Sequence, residues 1–332
     1  MKRPFFHQIL SKKLLLFIVL ICVFGPSSFA SSLRKTVWVV GHRGIAGLAP
    51  ENTLAGFSRA LQMGVDAVEL DVLMTADNHL VVYHDFYLNP NITRTAAGQW
   101  LEGRRGPEIK KLSLAAIQTY DIGRPNPLTS YARKHPDLEP VDGQRIPTLK
   151  DVIRLFKTKA PDHTQLWIEI KTTPEHPEIS PEPERISALL VRLLKAEGFL
   201  NRAKILSFDW RCLAHVQQIE PKLQTVYLTS LSKQFKSLSF DGPWKSAWTS
   251  PFDIHAHGDS IPRTIQAAGG TFWAPKYTQV TPALIHEAHA LGLAIAVWTP
   301  DEIKQFRQLI GMGVDAVITN RPDRLVKLIH KN

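Results

Sequence analysis

The sequence predicts an α/β fold, a (β/α)8 TIM barrel with an insertion after the second strand. Strand-like apolar runs alternate with helical patterns along the chain, and there are eight such runs. Glycines separate several of the helical patterns from the next run. Regular alternation of strands and helices favours a parallel sheet, and a chain of 332 residues has a length that single barrel domains reach.

The eight predicted strands are short segments rich in aliphatic residues. In the second of them, Ala67, Val68, Leu70 and Val72 surround two carboxylates, which indicates a strand buried on both faces. The predicted strands span residues 37–40, 67–73, 166–170, 204–208, 225–229, 271–274, 293–298 and 316–319.

The predicted helices follow these strands and end at typical stop signals. Glycine just after a helix is common, because it adopts the left-handed conformation without strain. Such glycines precede a predicted strand at Gly64, Gly198, Gly269, Gly292 and Gly313. The predicted helices span residues 53–63, 149–157, 184–197, 210–220, 261–268, 281–291, 301–312 and 322–329.

A long insertion, approximately residues 86–145, interrupts this rhythm after the second strand. Glycine, proline, asparagine and arginine are dense in residues 88–106 and 123–143. A segment of this length is typical of a lid over a site or of a disordered excursion. We expect a partly ordered cap.

The first 30 residues have the pattern of a secretory signal peptide. Lys2, Arg3, Lys12 and Lys13 precede an apolar run over residues 14–24, and the small residues Ser28 and Ala30 suit cleavage. The run is too short for a bilayer span, which needs about 20 residues. We therefore expect export to the periplasm or the medium, and a mature barrel domain of residues 31–332 without a stable membrane span.

Charge and cysteine content exclude some classes of protein. The net charge of +10 falls to +6 when the first 30 residues are removed, and the remaining basic residues occur in pairs rather than long runs. This distribution does not favour a nucleic-acid-binding surface. Cys212 is then the remaining cysteine, so an internal disulfide is excluded. The sequence identifies no protein partner.

Potential site residues cluster near the start of the mature chain. His42 and Arg43 follow the first predicted strand, and His84 lies soon after the second. Glu69 and Asp71 lie two positions apart within one strand, so their side chains share a face. Two carboxylates in a buried strand are costly unless they are paired or bind a metal ion. The sequence therefore predicts a site for a hard cation at the C-terminal end of the barrel.

Taken together and in order, these motifs resemble those of the glycerophosphodiester phosphodiesterase family. The resemblance covers about residues 38 to 325 and implies a TIM barrel that hydrolyses glycerophosphodiesters to sn-glycerol 3-phosphate and an alcohol. The matching elements are His42-Arg43-Gly44, Pro50-Glu51-Asn52-Thr53, Glu69-x-Asp71, Thr75-x-Asp77, Leu80-Val81-Val82-x-His84-Asp85, Ile146-Pro147-Thr148-Leu149, Glu169-Ile170-Lys171, Ser207-Phe208, Trp298-Thr299 and residues 313–319.

The resemblance and the residue types predict the roles in catalysis. One divalent cation, Ca²⁺ or Mg²⁺, is expected on carboxylates, since no cysteine or tight histidine cluster accompanies them. His42 and His84 are the expected acid/base pair. The resemblance further implies that the glycerol hydroxyl of the substrate attacks phosphorus, giving a cyclic phosphate that water opens. The predicted metal ligands are Glu69, Asp71, Glu169 and, as the likeliest fourth, Glu51.

Five further residues are expected to contact the small-molecule substrate. Arg43 and Lys171 suit phosphate oxygens. Asn52 is expected to orient either glycerol or a metal-bound water, and Phe208 and Trp298 are expected to form apolar walls.

At two positions the chain departs from the family pattern. Pro300-Asp301 replaces an apolar residue and Asn, and Asn320 replaces the more usual Asp. We expect these departures to affect substrate preference more than catalysis.

Two alternatives remain. A phospholipase D acting on lysolipids or sphingolipids has a similar barrel, metal and histidine pair, but the insertion here is polar rather than apolar. A non-catalytic exported protein that binds phosphodiesters is the alternative from another class. Loss of catalytic residues is expected in such a protein, and here the candidate histidines and carboxylates are all present.

Overall fold

The eight predicted strands all form, and they close into one parallel barrel. A computed structural model describes residues 37–232, 237–238 and 246–330. The signal peptide predicted over residues 1–30 lies outside the described residues. In the described chain the strands are β1 (Trp38–Gly41), β2 (Ala67–Met74), β3 (Leu80–Val82), β4 (Gln165–Ile170), β5 (Ala203–Ser207), β6 (Gln224–Thr229), β7 (Phe272–Pro275), β8 (Ala294–Trp298) and β9 (Ala316–Thr319).

The barrel is a ring of the eight strands other than β3. Neighbouring strands in the ring are parallel, and β1 pairs with both β9 and β2, which closes it. Strand β3 was not predicted. It pairs antiparallel with the end of β2, from Val72 opposite Val82 to Met74 opposite Leu80. Three residues are too few to give a recognisable alternation, so the sequence pattern alone does not identify this hairpin.

All eight predicted helices form outside the barrel, with ends within a few residues of the predicted bounds. Gly313, predicted as a stop signal, ends its helix with φ of 95°. Two short helices, α2 and α3, were not predicted. The helices are α1 (Leu54–Gln62), α2 (Leu114–Ile117), α3 (Ser130–Lys134), α4 (Leu149–Lys159), α5 (Pro183–Ala196), α6 (Trp210–Ile219), α7 (Ile261–Ala267), α8 (Pro282–Ala290), α9 (Ile303–Met312) and α10 (Pro322–His330).

Strand β2 shows how the barrel positions polar groups. All eight of its residues are buried. Val68, Leu70 and Val72 belong to the apolar layer between strands and helices. Glu69 and Asp71 alternate with them, so their side chains point into the barrel. Both carboxylates are thus enclosed by neighbouring strands.

The insertion follows the β2–β3 hairpin and contains α2 and α3. Its apolar side chains pack on the hairpin: Ile92, Ile109 and Ile122 share one cluster with Leu73 and Val81. This cluster gives the insertion a small core of its own above the barrel. Among the helices that the structure describes, none is long and apolar enough to cross a membrane.

Candidate active site

Three buried carboxylates meet inside the barrel. Glu69 and Asp71 come from β2, and Glu169 comes from β4, where it lies directly opposite Asp71 in the strand pairing. One oxygen from each of the three can be chosen so that all lie within 4.8 Å of one another. The three residues are 2%, 1% and 8% exposed, respectively. Parallel strands in register therefore bring together the three carboxylates that the sequence analysis predicted as ligands.

Two cations compensate part of this negative charge. Lys171 Nζ lies 2.7 Å from Glu169 Oε1 and 3.7 Å from Asp71 Oδ1. Arg43 donates its backbone N–H to Glu69 Oε2 at 2.9 Å, and its Nε lies 3.4 Å from Asp71 Oδ2. Both cations were predicted near phosphate oxygens, and they lie beside the carboxylate cluster.

The pKa values of Glu69 and Asp71 shift in opposite directions in this environment. Burial, followed by the charges of Asp71 and Glu169, raises the pKa of Glu69 well above its ordinary value. Burial also opposes ionisation of Asp71, but His84 and Arg43 hold its pKa below the ordinary value. The positive charges near Glu69 therefore do not balance the negative charge of its carboxylate neighbours.

The donor set fits a hard divalent cation. All three groups are carboxylates, which suit Mg²⁺ or Ca²⁺ better than a soft metal. Asp71 Oδ1 is buried and accepts no hydrogen bond, although a buried carboxylate oxygen normally has a partner. A cation bound by Glu69, Asp71 and Glu169 would satisfy this oxygen.

Glu51 lies apart from this group of three. Its Oε1 accepts from Arg43 Nη1 at 2.8 Å, and its Oε2 accepts from the Tyr131 hydroxyl at 2.5 Å. Both oxygens thus have partners, and its assignment as a fourth ligand stays a prediction. Tyr131 comes from α3 of the insertion and was not predicted. Burial and the Glu51 charge raise its pKa well above the ordinary value.

Asn52 holds Asp71 of the carboxylate cluster through two hydrogen bonds. Its Nδ2 donates to Asp71 Oδ2 at 2.9 Å, and its Oδ1 accepts from the Asp71 backbone N–H at 3.4 Å. Both ends of the amide are therefore engaged with Asp71, and Asn52 is only 1% exposed. It does not line either of the cavities described below, so its contact with glycerol also stays a prediction.

The turn after β1 is locally strained. Arg43 has φ of 48° and Asn52 has φ of 55°, a left-handed region that residues other than glycine seldom adopt. A Cβ at Gly41 would lie 2.1 Å from the Gly44 carbonyl oxygen, so only glycine fits there. The tight turn aims the Arg43 backbone N–H at Glu69, which is the local reason for the His-Arg-Gly sequence.

The two histidines engage protein acceptors through the same ring nitrogen. His42 Nδ1 lies 2.7 Å from Asn320 Oδ1, and His84 Nδ1 lies 2.6 Å from Asp85 Oδ1. Because these oxygens are acceptors, the contacts favour a proton on Nδ1 of each ring and leave Nε2 for chemistry. Burial, followed by the charge of Arg43, lowers the pKa of His42 to about 4.

A second layer behind His42 was not predicted. Asp301 Oδ2 accepts from Asn320 Nδ2 at 2.8 Å, and Asp301 Oδ1 accepts from the backbone N–H of Asn320 at 2.9 Å and from Thr319 Oγ1 at 3.0 Å. These contacts fix the Asn320 amide with its oxygen toward His42. The two positions where the chain departs from the family pattern are thus neighbours that support His42, so their contacts point to catalysis rather than to the substrate preference expected from the sequence.

Two connected cavities open above the carboxylates. The inner cavity, of about 150 Å³, is lined by both histidines and Glu69, and Leu206, Leu228 and Ile318 are among its apolar residues. The outer cavity, of about 1090 Å³, extends from it toward the insertion. The residues that line both are His84, Glu169, Lys171, Phe208 and Trp298.

Phe208 and Trp298 form the shared wall of the two cavities. Their rings meet edge to face, with centroids 5.4 Å apart and an interplanar angle of 89°. Trp298 Nε1 donates to the Ala274 carbonyl at 3.0 Å, which fixes the indole. The predicted apolar walls are therefore present beside the carboxylates.

Carboxylates, two histidines and two cations at the C-terminal ends of the barrel strands fit an enzyme of the phosphoric diester hydrolase class. The model of the glycerophosphoryl diester phosphodiesterase family matches residues 42–324. The chain belongs to this family and is a glycerophosphodiester phosphodiesterase.

Individual relatives agree with this membership. A crystal structure from Silicibacter pomeroyi that carries the same family name is 31% identical, with a TM-score of 0.79 over 89% of this chain and 94% of that chain. The glycerophosphodiester phosphodiesterase of Caldanaerobacter subterraneus is 29% identical over 297 residues, 88% of this chain and 98% of its own length. A phosphodiesterase from Oleispira antarctica, solved with the product sn-glycerol-3-phosphate, shares the fold at 21% identity and a TM-score of 0.62.

Proposed function

We propose that this enzyme hydrolyses glycerophosphodiesters to sn-glycerol 3-phosphate and an alcohol in a metal-dependent reaction in which His42 and His84 transfer protons. The single observation that carries the proposal is the group of three buried carboxylates, whose oxygens lie within 4.8 Å of one another beside both histidines. The Oleispira antarctica phosphodiesterase, which binds this product, lends the product assignment support.

Glu69, Asp71 and Glu169 are the proposed ligands of one Ca²⁺ or Mg²⁺ ion. When bound, such an ion neutralises charge on the non-bridging oxygens of the phosphodiester. Arg43 and Lys171 flank the carboxylates on either side. They are the proposed contacts for the remaining phosphate oxygens, since charge-assisted hydrogen bonds to phosphate are strong.

The histidines are the proposed proton carriers. One accepts the proton of the glycerol 2-hydroxyl as that oxygen bonds to phosphorus, and the other donates a proton to the departing alcohol as its P–O bond breaks. Water then opens the resulting cyclic phosphate to sn-glycerol 3-phosphate. The Nδ1 contacts of both rings support this assignment, because they leave Nε2 of each without a hydrogen bond in the described chain.

The division of the site into two cavities supports glycerol as the group next to the histidines. A volume of about 150 Å³ suits a glycerol phosphate group and is small for an acylated glycerol. The outer cavity is then the proposed position of the alcohol that leaves. Phe208 and Trp298 contact the substrate where the two meet.

The test is release of sn-glycerol 3-phosphate from glycerophosphocholine by residues 31–332. We expect activity to disappear with EDTA and to return with Ca²⁺ or Mg²⁺. A folded sample that is inactive with each ion would contradict the proposal. Binding of the diester without any product would then support the non-catalytic alternative.

His42→Ala and His84→Ala are each expected to abolish turnover. General acid and base groups contribute typically about 10² to 10⁴-fold each, so kcat is expected to fall by at least about a hundredfold. Circular dichroism and thermal unfolding establish that each variant is folded. His257→Ala, at a half-buried histidine of a short surface turn that lines neither cavity, is the matched control. Near-normal turnover in either active-site variant would overturn these roles.

The lysolipid alternative has one observation in its favour. Aromatic residues line the outer cavity, among them Phe86, Trp248 and Trp298, and they offer an apolar surface to an acyl chain. Choline release from lysophosphatidylcholine at a higher kcat/KM than from glycerophosphocholine would favour phospholipase D activity.

Export is also part of the proposal. The basic residues and apolar run of the first 30 residues support cleavage after Ala30. Expression of the full chain in a bacterial host with a periplasm tests it. We expect activity outside the cytoplasm and a mature N-terminus at Ser31. Unprocessed protein confined to the cytoplasm would contradict export.

A further inference from the structure

The outer cavity carries more positive charge than the scissile phosphate requires. Arg104 and Arg105 reach it from the insertion, Lys134 from the end of α3, and Lys276 from the segment after β7. Two separate parts of the chain, the insertion and the segment after β7, therefore bring cations to one cavity. We refer to these four residues as the outer cations.

The outer cations have no acidic partners among the described residues. None of them forms an ion pair with any carboxylate in the part of the chain that the structure describes. Arg105 is held by packing instead, with its guanidinium carbon 5.1 Å from the centroid of the Tyr87 ring. Four cations without a carboxylate partner among the described residues raise the positive potential around this one cavity.

The carboxylates that line the same cavity are already engaged. Asp85 accepts from His84 and Asn89. Glu169 is paired with Lys171. The third, Glu178, lies 3.3 Å from a histidine Nδ1. Asp85 and Glu178 thus keep their negative charge, but the four outer cations outnumber them, so the cavity lining stays net positive and favours an anionic occupant.

We propose that the preferred substrates are glycerophosphodiesters whose leaving alcohol carries a second phosphate group. The inference rests on the proposed function, because it assigns the outer cavity to the leaving alcohol. Arg43 and Lys171 lie beside the carboxylate cluster and serve the scissile phosphate. The outer cations are then available for the phosphate group of the leaving alcohol. Arginine and lysine bind phosphate through charge-assisted hydrogen bonds.

The size of the cavity agrees with an extended leaving group. Its volume of about 1090 Å³ lies slightly above the roughly 300–1,000 Å³ typical of ligand pockets. Choline is small and cationic, so the outer cations repel it.

Three substrates that differ in the charge of the leaving alcohol test the inference. They are glycerophosphocholine, glycerophosphoglycerol and bis(glycerophospho)glycerol, whose alcohols are cationic, neutral and anionic. We expect kcat/KM to rise in that order at low ionic strength, by at least tenfold from the first to the last. A tenfold rise in kcat/KM exceeds the twofold advantage that bis(glycerophospho)glycerol has because both of its ends can be cleaved. Added salt is expected to reduce the difference.

A charge-reversal variant assigns the effect to the cavity. In R104E/R105E we expect the ratio of kcat/KM for bis(glycerophospho)glycerol to that for glycerophosphocholine to fall at least tenfold. The control K159E/K327E makes the same change in net charge at exposed lysines that line neither cavity. There the ratio is expected to change less than twofold.

The outcomes separate the inference from the proposed function. Hydrolysis of glycerophosphocholine at a kcat/KM equal to or above that of the anionic diester overturns the inference and leaves the function intact. An equal fall of the ratio in both double variants also overturns it. No hydrolysis of any of the three substrates overturns the proposed function itself. The second phosphate could belong to a polymer end or to a small diester. A comparison of kcat/KM for a short poly(glycerol phosphate) chain with that for bis(glycerophospho)glycerol distinguishes the two.

Discussion

Individual residues of the site have distinct tasks that their contacts reveal. Glu69 and Asp71 are equally buried, yet their pKa values move in opposite directions. The difference arises because Asp71 has His84, Arg43 and Lys171 around it, whereas the strongest charges around Glu69 are the carboxylates of Asp71 and Glu169. A divalent cation beside Glu69 would balance the cluster.

Glu51 and Glu169 can be distinguished by metal affinity. Glu169 lies in the carboxylate cluster, whereas both oxygens of Glu51 are taken by Arg43 and Tyr131. We expect Glu169→Gln to weaken Ca²⁺ or Mg²⁺ binding at least tenfold and Glu51→Gln to weaken it less than threefold, by titration calorimetry. Glu184→Gln on the exposed surface of α5 is the control. A tenfold loss in Glu51→Gln would instead establish Glu51 as a ligand.

The Asp301 and Asn320 pair positions His42. Asp301→Asn places two amide groups face to face, and Asn320→Asp places two carboxylates there, so either change disturbs the contact with His42 Nδ1. We expect each single variant to lower kcat at least tenfold with KM changed less than threefold. The exchange D301N/N320D restores one amide and one carboxylate with the same number of hydrogen bonds, and we expect it to recover most of kcat.

The exchange separates a positioning role from a merely structural one. Thermal unfolding of all three variants measures any general loss of stability, which is not expected to follow the pattern in kcat. A double variant as slow as the single variants would show that the pair does not act through the Asn320 contact.

At the scale of elements, several of the motifs serve folding rather than chemistry. Thr75 Oγ1 donates to Asp77 Oδ1 at 2.6 Å, and Asp77 accepts from the backbone N–H of Leu114 at 2.9 Å, which joins the β2–β3 turn to α2. Pro147 accepts from the backbone N–H of Val82 at 2.9 Å, which joins β3 to the start of α4. These segments anchor both ends of the insertion.

The Thr148 cap of α4 is expected to contribute to stability alone. Its Oγ1 accepts from the Asp151 backbone N–H at 3.1 Å, and Asp151 Oδ2 accepts from the Thr148 backbone N–H at 3.1 Å. Loss of such a cap typically costs about 0.5–2 kcal/mol, so we expect Thr148→Ala to lower the free energy of unfolding by about 1 kcal/mol in urea titration. Thr148→Ser should recover most of it. An unchanged midpoint in the alanine variant would argue against the cap.

The sequence predicts the elements well because each depends on local pattern. The eight barrel strands and their helices follow from apolar runs and glycine stops, and the carboxylates of β2 follow from alternation. Contacts between distant segments have no such signal. His42 and Asn320 are 278 positions apart, and Tyr131 is 80 positions from Glu51. Only the closed barrel and the folded insertion bring these residues together.

For the molecule as a whole, the two ends of the barrel have different characters. The C-terminal ends of the strands hold the site, whereas Lys204 lies near the start of β5 at the other end. It is 4% exposed, and its Nζ lies 5.1 to 6.0 Å from the ring centroids of Trp38, Trp167 and Phe272. It hydrogen-bonds Gln224. No carboxylate among the described residues forms an ion pair with it.

This buried lysine makes the stability of the barrel depend on pH. Burial lowers the pKa of Lys204 from 10.5 to about 8. Between these values the unfolded chain holds more protons at this position than the folded chain, so the free energy of unfolding rises with pH across that interval. The full shift corresponds to at most roughly 3 kcal/mol. The three rings favour the charged form, so the measured change is expected to be smaller.

Lys204→Met isolates this contribution. We expect the wild-type chain to gain stability relative to the variant as pH rises from about 8 to 10.5, by about 1–3 kcal/mol, in urea unfolding at intervals of pH. Other groups titrate equally in both proteins and cancel in the difference. Lys159→Met, at the exposed end of α4, is the control and is expected to give a flat difference. A difference for Lys204→Met that is constant or falls with pH would mean that the aromatic rings fully compensate the burial of the charge.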